Sequence, residues 1–321
     1  MKNDKIKNSL FLVYSPFQVV CAFEAISAYS IVNPIIYCLG GSYLKRNEKT
    51  PHLLDELGLS YQIMDVKSFP WRIIDLVKHR NQFERCYIGD YFDPFLRLVA
   101  SFLLRKKGEL FYLDDGASTL TAINIPHPLR LPKFKTRIQY VLPIVISKLK
   151  RHSESFYSIF STPNGEVNSL NAIKNKYLLN TYSPKGVFII GTTYHGFNAP
   201  ETLYQLLKNT FSHFSDNEIY YSPHRSIVKD KTILDICRDY NVKYIVSDYC
   251  VEVDYIKKGY NPQMIIGFGS TALFTLKRIY PAARVISVKY PAVMVKGNEK
   301  TYDIVNENLK SAGVEILTIL P

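Results

Sequence analysis

"PFLRLVASFLLRKKGELFYLDDG", residues 94–116, decides the fold. An apolar run of helical character opens on Pro94, whose fixed φ suits the first turn of a helix. It ends in the basic stretch that reaches Gly108. A short apolar strand, Glu109 to Leu113, follows at once, and Asp114, Asp115 and Gly116 close it as a turn. A helix feeding a strand with no hairpin signal between them is part of a βαβ unit.

The same alternation continues outward. Upstream, strands at 9–15, 33–41, 60–66 and 85–92 are separated by helical patterns at 16–30, 48–59 and 69–83. Repeated βα units argue a parallel sheet with helices on both faces. Downstream, 151–186 is polar and weakly periodic, which places a junction at 155–183. The pattern then restarts. Strands are expected at 186–194, 218–225, 242–248, 263–270, 283–290 and 314–320, with helices at 200–214, 230–241, 271–280 and 299–313. The expected architecture is α/β with two Rossmann-like lobes, residues 1–160 and 161–321.

Composition agrees with two domains of about 150 residues each. Hydrophobic residues make up 47% of the 321, which excludes wholesale disorder. No apolar run reaches the roughly 18 residues needed to span a bilayer. The basic and then apolar start, "MKNDKIKNSLFLVYSPFQVV", is broken by Asp4 and Pro16 and lacks a small-residue cleavage site, so it reads as a first core strand. The five cysteines are odd in number and widely spaced, without a CxxC, and read as reduced core residues of a cytoplasmic protein. A net charge of +12 favours an anionic partner: nucleic acid, an anionic membrane, or a phosphorylated or acidic sugar donor. From Ala117 to Ser153 there is no acidic residue, while Arg130, Lys133, Lys135, Arg137, Lys148, Lys150 and Arg151 flank an apolar stretch. That segment either docks on the inner face of an anionic membrane, grips an anionic acceptor, or is a solvated face beside a core helix.

Three strand ends carry candidate chemistry. At 113–116, Asp114 and Asp115 are ordinary turn residues or an orienter and a proton acceptor. At 221–225, His224 follows a strand and Pro223. At 267–273, Gly269 leads into Ser270 and Thr271 at a helix start, either a simple cap or an anion site. No Asp-X-Asp triplet occurs and no His/Cys cluster has ligand spacing, so neither a metal nor any other cofactor is expected.

Taken in order, Asp114-Asp115-Gly116, Pro223-His224 and Ser270-Thr271 resemble the D/E-D/E-G, HP and S-S/T motifs of the bacterial sialyltransferases. "VYSPFQVV", "CYIGDYFDP", "VFIIGTT", "IYYSPHR" and "VEVDYIKKGYNPQMIIGFGSTAL" are similar to blocks of glycosyltransferase family 52, the lipooligosaccharide and capsule sialyltransferases. The resemblance is patchy but collinear over nearly the whole chain. One departure is that Arg225 follows His224 where the family has proline; His127-Pro128 keeps the dipeptide but does not follow a second-lobe strand.

The resemblance implies a GT-B-like enzyme that moves sialic acid from CMP-sialic acid to a hydroxyl of a surface glycan, inverting the anomeric centre without a metal. Asp115 is then the base, with Asp114 as its orienter and Glu201 as the alternative base. His224 assists the departing phosphate, Ser270, Thr271 and Gly269 hold it, and Glu252 takes the ribose. Gly191, Thr192, Pro223 and Arg225 border the nucleotide, whereas Ser15, Gln18, Asp90 and Gly116 face the acceptor. The partners implied are the CMP-nonulosonic acid, a glycan or glycolipid acceptor and an anionic membrane surface. Two rivals stand beside this reading. One is transfer of pseudaminic or legionaminic acid; the other is a basic, non-catalytic nucleic-acid-binding protein whose aromatics stack on bases.

Overall fold

The computed structural model describes residues 8–43, 47–65, 81–124, 143–160, 162, 165–177, 185–193, 197, 199–290 and 299–319. His127, Pro128 and the four basic residues from Arg130 to Arg137 lie outside them, as does the expected helix over most of 69–83. The chain forms two compact units, Met1–Ile173 and Lys174–Pro321.

The first unit holds strands β1 (Ser9–Val13), β2 (Ile35–Leu39), β3 (Gln62–Met64), β4 (Phe83–Ile88), β5 (Leu104–Leu113), β6 (Ser153–Ser158) and β7 (Glu166–Val167). Its helices are α1 (Pro16–Ala28), α2 (Thr50–Leu57), α3 (Pro94–Leu103) and α4 (Ala117–Asn124), with a further helical segment at 143–150. A last helix, α5 (Asn171–Tyr177), spans the division between the units. All seven strands pair in parallel, in the order β3-β2-β1-β4-β5-β6-β7. β1 is buried along its whole length, as a central parallel strand covered on both faces must be. Phe11, Tyr87 and Phe111, from three adjacent strands, stack in sequence across the sheet with ring centroids 4.4 and 4.8 Å apart.

β6 and β7 lie inside the stretch that reads as a polar junction. β6 carries serines and a glutamate because it sits near the sheet edge, yet it pairs with β5 over five residues. The first turn of α5 is tied back to α1: the buried carboxylate of Glu24 accepts the N–H groups of Ala172 (3.1 Å) and Ile173 (2.7 Å). α3 also ends earlier than its periodicity suggests. Lys150 donates from Nζ to the carbonyls of Ser101, Phe102 and Leu104 at 2.7–2.9 Å, satisfying the groups a helix end leaves open. Strand β5 therefore begins at Leu104, with Lys107 at a positive φ of 61° beside a register shift. This corrects the membrane-facing role expected of Lys150, whose charge is spent inside the fold.

The second unit repeats the plan. Its strands are β8 (Val187–Ile190), β9 (Ile219–Ser222), β10 (Lys243–Tyr244), β11 (Met264–Gly267), β12 (Arg284–Lys289) and β13 (Glu315–Thr318). Its helices are α6 (Pro200–His213), α7 (Lys231–Asp239), α8 (Val251–Lys257), α9 (Ala272–Ile279) and α10 (Glu299–Ser311). The order is β10-β9-β8-β11-β12-β13, again all parallel. Counted within each unit, both sheets run 3-2-1-4-5-6, the Rossmann order, and the first adds a seventh strand. The order reverses between β1 and β4 in one unit and between β8 and β11 in the other. Ligands of open α/β sheets bind outside the carboxyl ends of strands at such switch points.

Candidate functional site

In the first unit the switch point gathers the ends of β1, β4 and β5 around one side chain. Gln18 occupies the third position of α1 and is wholly buried. Its Oε1 accepts the backbone N–H of Tyr14 (3.0 Å) and Ser15 (3.4 Å). Its Nε2 donates to the carbonyl of Gly89 (2.7 Å) and to Oδ1 of Asp115 (2.9 Å). A Cβ on Gly89 would lie 2.1 Å from Gln18 Cδ, so residue 89 must be glycine for the amide to pass. Ser15 Oγ accepts the N–H of Gln18, which completes a capping box. Ser15 and Gln18, expected to face an acceptor, are therefore buried parts of the scaffold.

The paired carboxylates face different surroundings. Asp114 is wholly buried; it accepts the hydroxyl of Ser158 and the N–H of Ile159 (2.7 Å), tying β5 to the end of β6. Asp115 stays partly exposed, with its own N–H donated to Thr119 Oγ1 at 2.7 Å. Gly116 follows at φ +62°, the left-handed conformation that glycine takes most readily. Asp90, just past β4, is half-buried and accepts from the Phe92 N–H (2.8 Å) and the Tyr14 hydroxyl (3.3 Å). Burial pushes its carboxyl up from the ordinary value. Burial, then the charges of Asp115 and Asp90, push the Tyr14 phenol far above the usual range, so it remains a hydrogen-bond donor.

In the second unit the ends of β8 and β9 meet at Gly191. Its N–H donates to the Ser222 carbonyl (2.7 Å), and a Cβ there would lie 2.5 Å from the Tyr221 hydroxyl and 3.0 Å from both His224 N and Pro223 Cα. The Tyr221 hydroxyl is buried and has no hydrogen-bond partner among the described residues. Pro223 is buried, His224 half-buried and Arg225 exposed. His224 caps the 3-10 turn Arg225–Ile227: the Ser226 N–H donates to Nδ1 at 3.3 Å and the Ser226 hydroxyl lies 2.8 Å from the same atom. An accepting Nδ1 puts the proton of the neutral ring on Nε2.

Past β11, Gly269 sits at φ +64° with its N–H donated to Ser287 Oγ (3.2 Å); that hydroxyl donates in turn to Asn306 Oδ1 (3.2 Å) on α10. Ser270 Oγ accepts the Ala272 N–H (3.3 Å), and Thr271 is the residue before α9. Thr192 is half-buried beside Gly191, and Glu201 is exposed in the first turn of α6. Glu252 on α8 is buried and accepts the Thr275 hydroxyl (2.8 Å) from α9; burial pushes its carboxyl up. The sequence offered a signal for Gly89, a glycine directly after a strand. It offered none for Ser158, Tyr221, Ser287 or Asn306, whose roles arise from strand order and helix packing.

Among the described residues, no group of three or more His, Cys, Asp and Glu side chains is placed to hold a metal ion. No helix among them is long and apolar enough to cross a membrane.

The fold has known counterparts. Over 97% of this chain and 88% of the other, it superposes on Methanocaldococcus jannaschii UDP-GlcNAc 2-epimerase, solved with UDP-GlcNAc and UDP, with a TM-score of 0.53 and 15% identity. The chain has a GT-B-like fold. MurG of Acinetobacter baumannii and the spinosyn rhamnosyltransferase SpnG also align, each at a TM-score of 0.47 and 12% identity over 97% of this chain and 86% of theirs. No protein-family model matches the sequence, and no curated protein matches it.

Proposed function

We propose that this chain is an inverting, metal-independent glycosyltransferase that moves sialic acid from CMP-sialic acid to a hydroxyl of a bacterial surface glycan, lipooligosaccharide or capsule. The observation that carries the reading is the division of labour between the two carboxylates at the end of β5. Asp114 is consumed by Ser158 and Ile159, while Asp115 is held at the switch point by the Gln18 amide and keeps access to solvent.

In this reading Asp115 takes the proton of the acceptor hydroxyl as that oxygen attacks the anomeric carbon. The bond from that carbon to the CMP phosphate oxygen breaks, and the charge passes to the phosphate. His224, whose Nδ1 accepts from Ser226, offers its Nε2–H to the departing phosphate. Ser270 supplies a hydroxyl and the opening of α9 the positive end of a helix dipole, the N–H groups of Ala272, Leu273 and Phe274 being donated within the turn itself. Thr192 borders the nucleotide; Gly191 and Gly269 shape the turns around it, with Tyr221 and Tyr302 filling the space a side chain would take, and Glu252, buried against Thr275, braces α8 on α9 instead of meeting the ribose. Such an enzyme works at the cytoplasmic face of the membrane, where lipid-linked glycans are extended.

The test is release of CMP from CMP-sialic acid, with parallel arms offering CMP-pseudaminic acid, CMP-legionaminic acid and UDP-GlcNAc, each with and without a lipooligosaccharide acceptor. Acceptor-dependent CMP release in the sialic acid arm supports the reading. Turnover confined to another nonulosonic acid replaces the donor, and turnover of UDP-GlcNAc alone overturns the reading.

A further inference from the structure

Gln18 joins three strand ends, those of β1, β4 and β5, through a single side chain. We infer that Gln18 is the positioning residue of Asp115: its amide aims the carboxylate and fixes which kind of group that carboxylate meets. The inference rests on the proposed function for the word "base" and on geometry alone for the pairing.

The orientation of the amide follows from its partners. Two backbone N–H groups, of Tyr14 and Ser15, point at Oε1, and a backbone carbonyl, of Gly89, meets Nε2. A flip by 180° would set an oxygen against a carbonyl and an NH2 group against two N–H donors, so the backbone locks the amide one way round. The Asp115 oxygen therefore meets an N–H and never a lone pair. The strut is closed on its other side by the absence of a side chain at Gly89. Gln18 is wholly buried, so its four partners are all protein groups and the lock is not exchanged for water. A catalytic carboxylate needs this kind of second support, because a displacement of about 1 Å costs on the order of 100-fold in rate.

The experiment is a reciprocal swap. Four proteins are compared: the wild type, Gln18→Glu, Asp115→Asn, and the double variant carrying both. Gln18→Glu keeps size and shape but sets a carboxylate oxygen against both Asp115 and the Gly89 carbonyl, and only the first of these is relieved in the double variant. The double variant rebuilds the bond with its polarity reversed, the amide now at position 115 donating to the carboxylate now at position 18. The expected result is that Gln18→Glu lowers kcat by at least about tenfold with KM for the acceptor changed less than about twofold. Its melting temperature falls, and the double variant melts at least about 2 °C above Gln18→Glu alone. The double variant stays as inactive as Asp115→Asn, because no base has been restored. Strictly additive losses of stability overturn the pairing. Recovered stability with wild-type kcat in Gln18→Glu overturns the positioning role. If the wild type transfers no nonulosonic acid while the melting cycle still shows coupling, the pairing stands and the functional reading fails.

Discussion

Replacing Gly191 with alanine places one methyl group among atoms that have little room to give. The new Cβ would sit 2.5 Å from the Tyr221 hydroxyl and 3.0 Å from two atoms of the Pro223–His224 backbone. Tyr221 is wholly buried, and the Gly191 backbone is held by its bond to Ser222. Relief therefore requires the β8 and β9 ends to part. Overpacking of this kind costs about 1–3 kcal/mol. At 2–4 °C per kcal/mol for a unit of this size, the second unit should melt roughly 2–12 °C lower. Tyr221→Phe supplies the control. It removes the nearest clashing atom, and because that hydroxyl is buried without a partner among the described residues, its loss alone should be neutral or stabilising by up to about 1 kcal/mol. Combined, Gly191→Ala and Tyr221→Phe should regain about half of the loss, since the contacts with residues 223 and 224 remain. Calorimetric melts of the four proteins, read beside CMP affinity, decide it. A Gly191→Ala variant that melts and binds CMP like the wild type refutes the packing argument and removes Gly191 from the donor site. A double variant no better than Gly191→Ala refutes the role given to the hydroxyl.

Asp115→Asn should lower kcat by about 100-fold with little change in melting temperature, whereas Asp114→Asn should act mainly on stability, by about 1–3 kcal/mol, because it breaks a buried pairing. Equal kinetic effects would erase the distinction between them. Glu252 is an acid whose folded value is raised by burial, so its contribution to stability is complete below the ordinary value of 4.5 and lost as pH rises through the raised value. Glu252→Gln should therefore raise the melting temperature at pH 8 and raise it less at pH 5; a pH-independent effect would assign the cost to packing. On the segment 143–150, Val145 (43% exposed) and Leu149 (75%) lie one helical turn apart, with Lys148 and Arg151 exposed near them. If this face meets an anionic membrane, Lys148→Glu with Leu149→Asp should weaken vesicle co-sedimentation more at low salt than at high salt, by roughly fivefold for the lost basic residue alone. Equal sedimentation of variant and wild type would leave the segment a solvated face.

The alternation of strand and helix was legible because the central parallel strands, such as β1, β8 and β9, are buried on both faces and read as short apolar blocks. β6 was not: near the edge it tolerates Ser153, Glu154 and Ser155, which look like linker. The strand ends bearing Asp115, His224 and Ser270 were also legible, since glycine and proline mark each turn. What the residues did not disclose is direction. Asp114 and Asp115 are the same residue type in adjacent places, and only the arrival of β6 beside β5 decides which one is taken inward. The same holds for Ser15 and Gln18, whose polar side chains suggested a ligand and serve the backbone instead.

The bond from Glu24 to the start of α5 has a consequence for how the chain is made. A carboxylate on the first helix waits for N–H groups that follow it by 148 and 149 residues. At a synthesis rate of about 5–20 residues per second, that wait lasts roughly 7–30 s. The two bonds that tie α1 to α5 can therefore form only after β6 and β7 have been made.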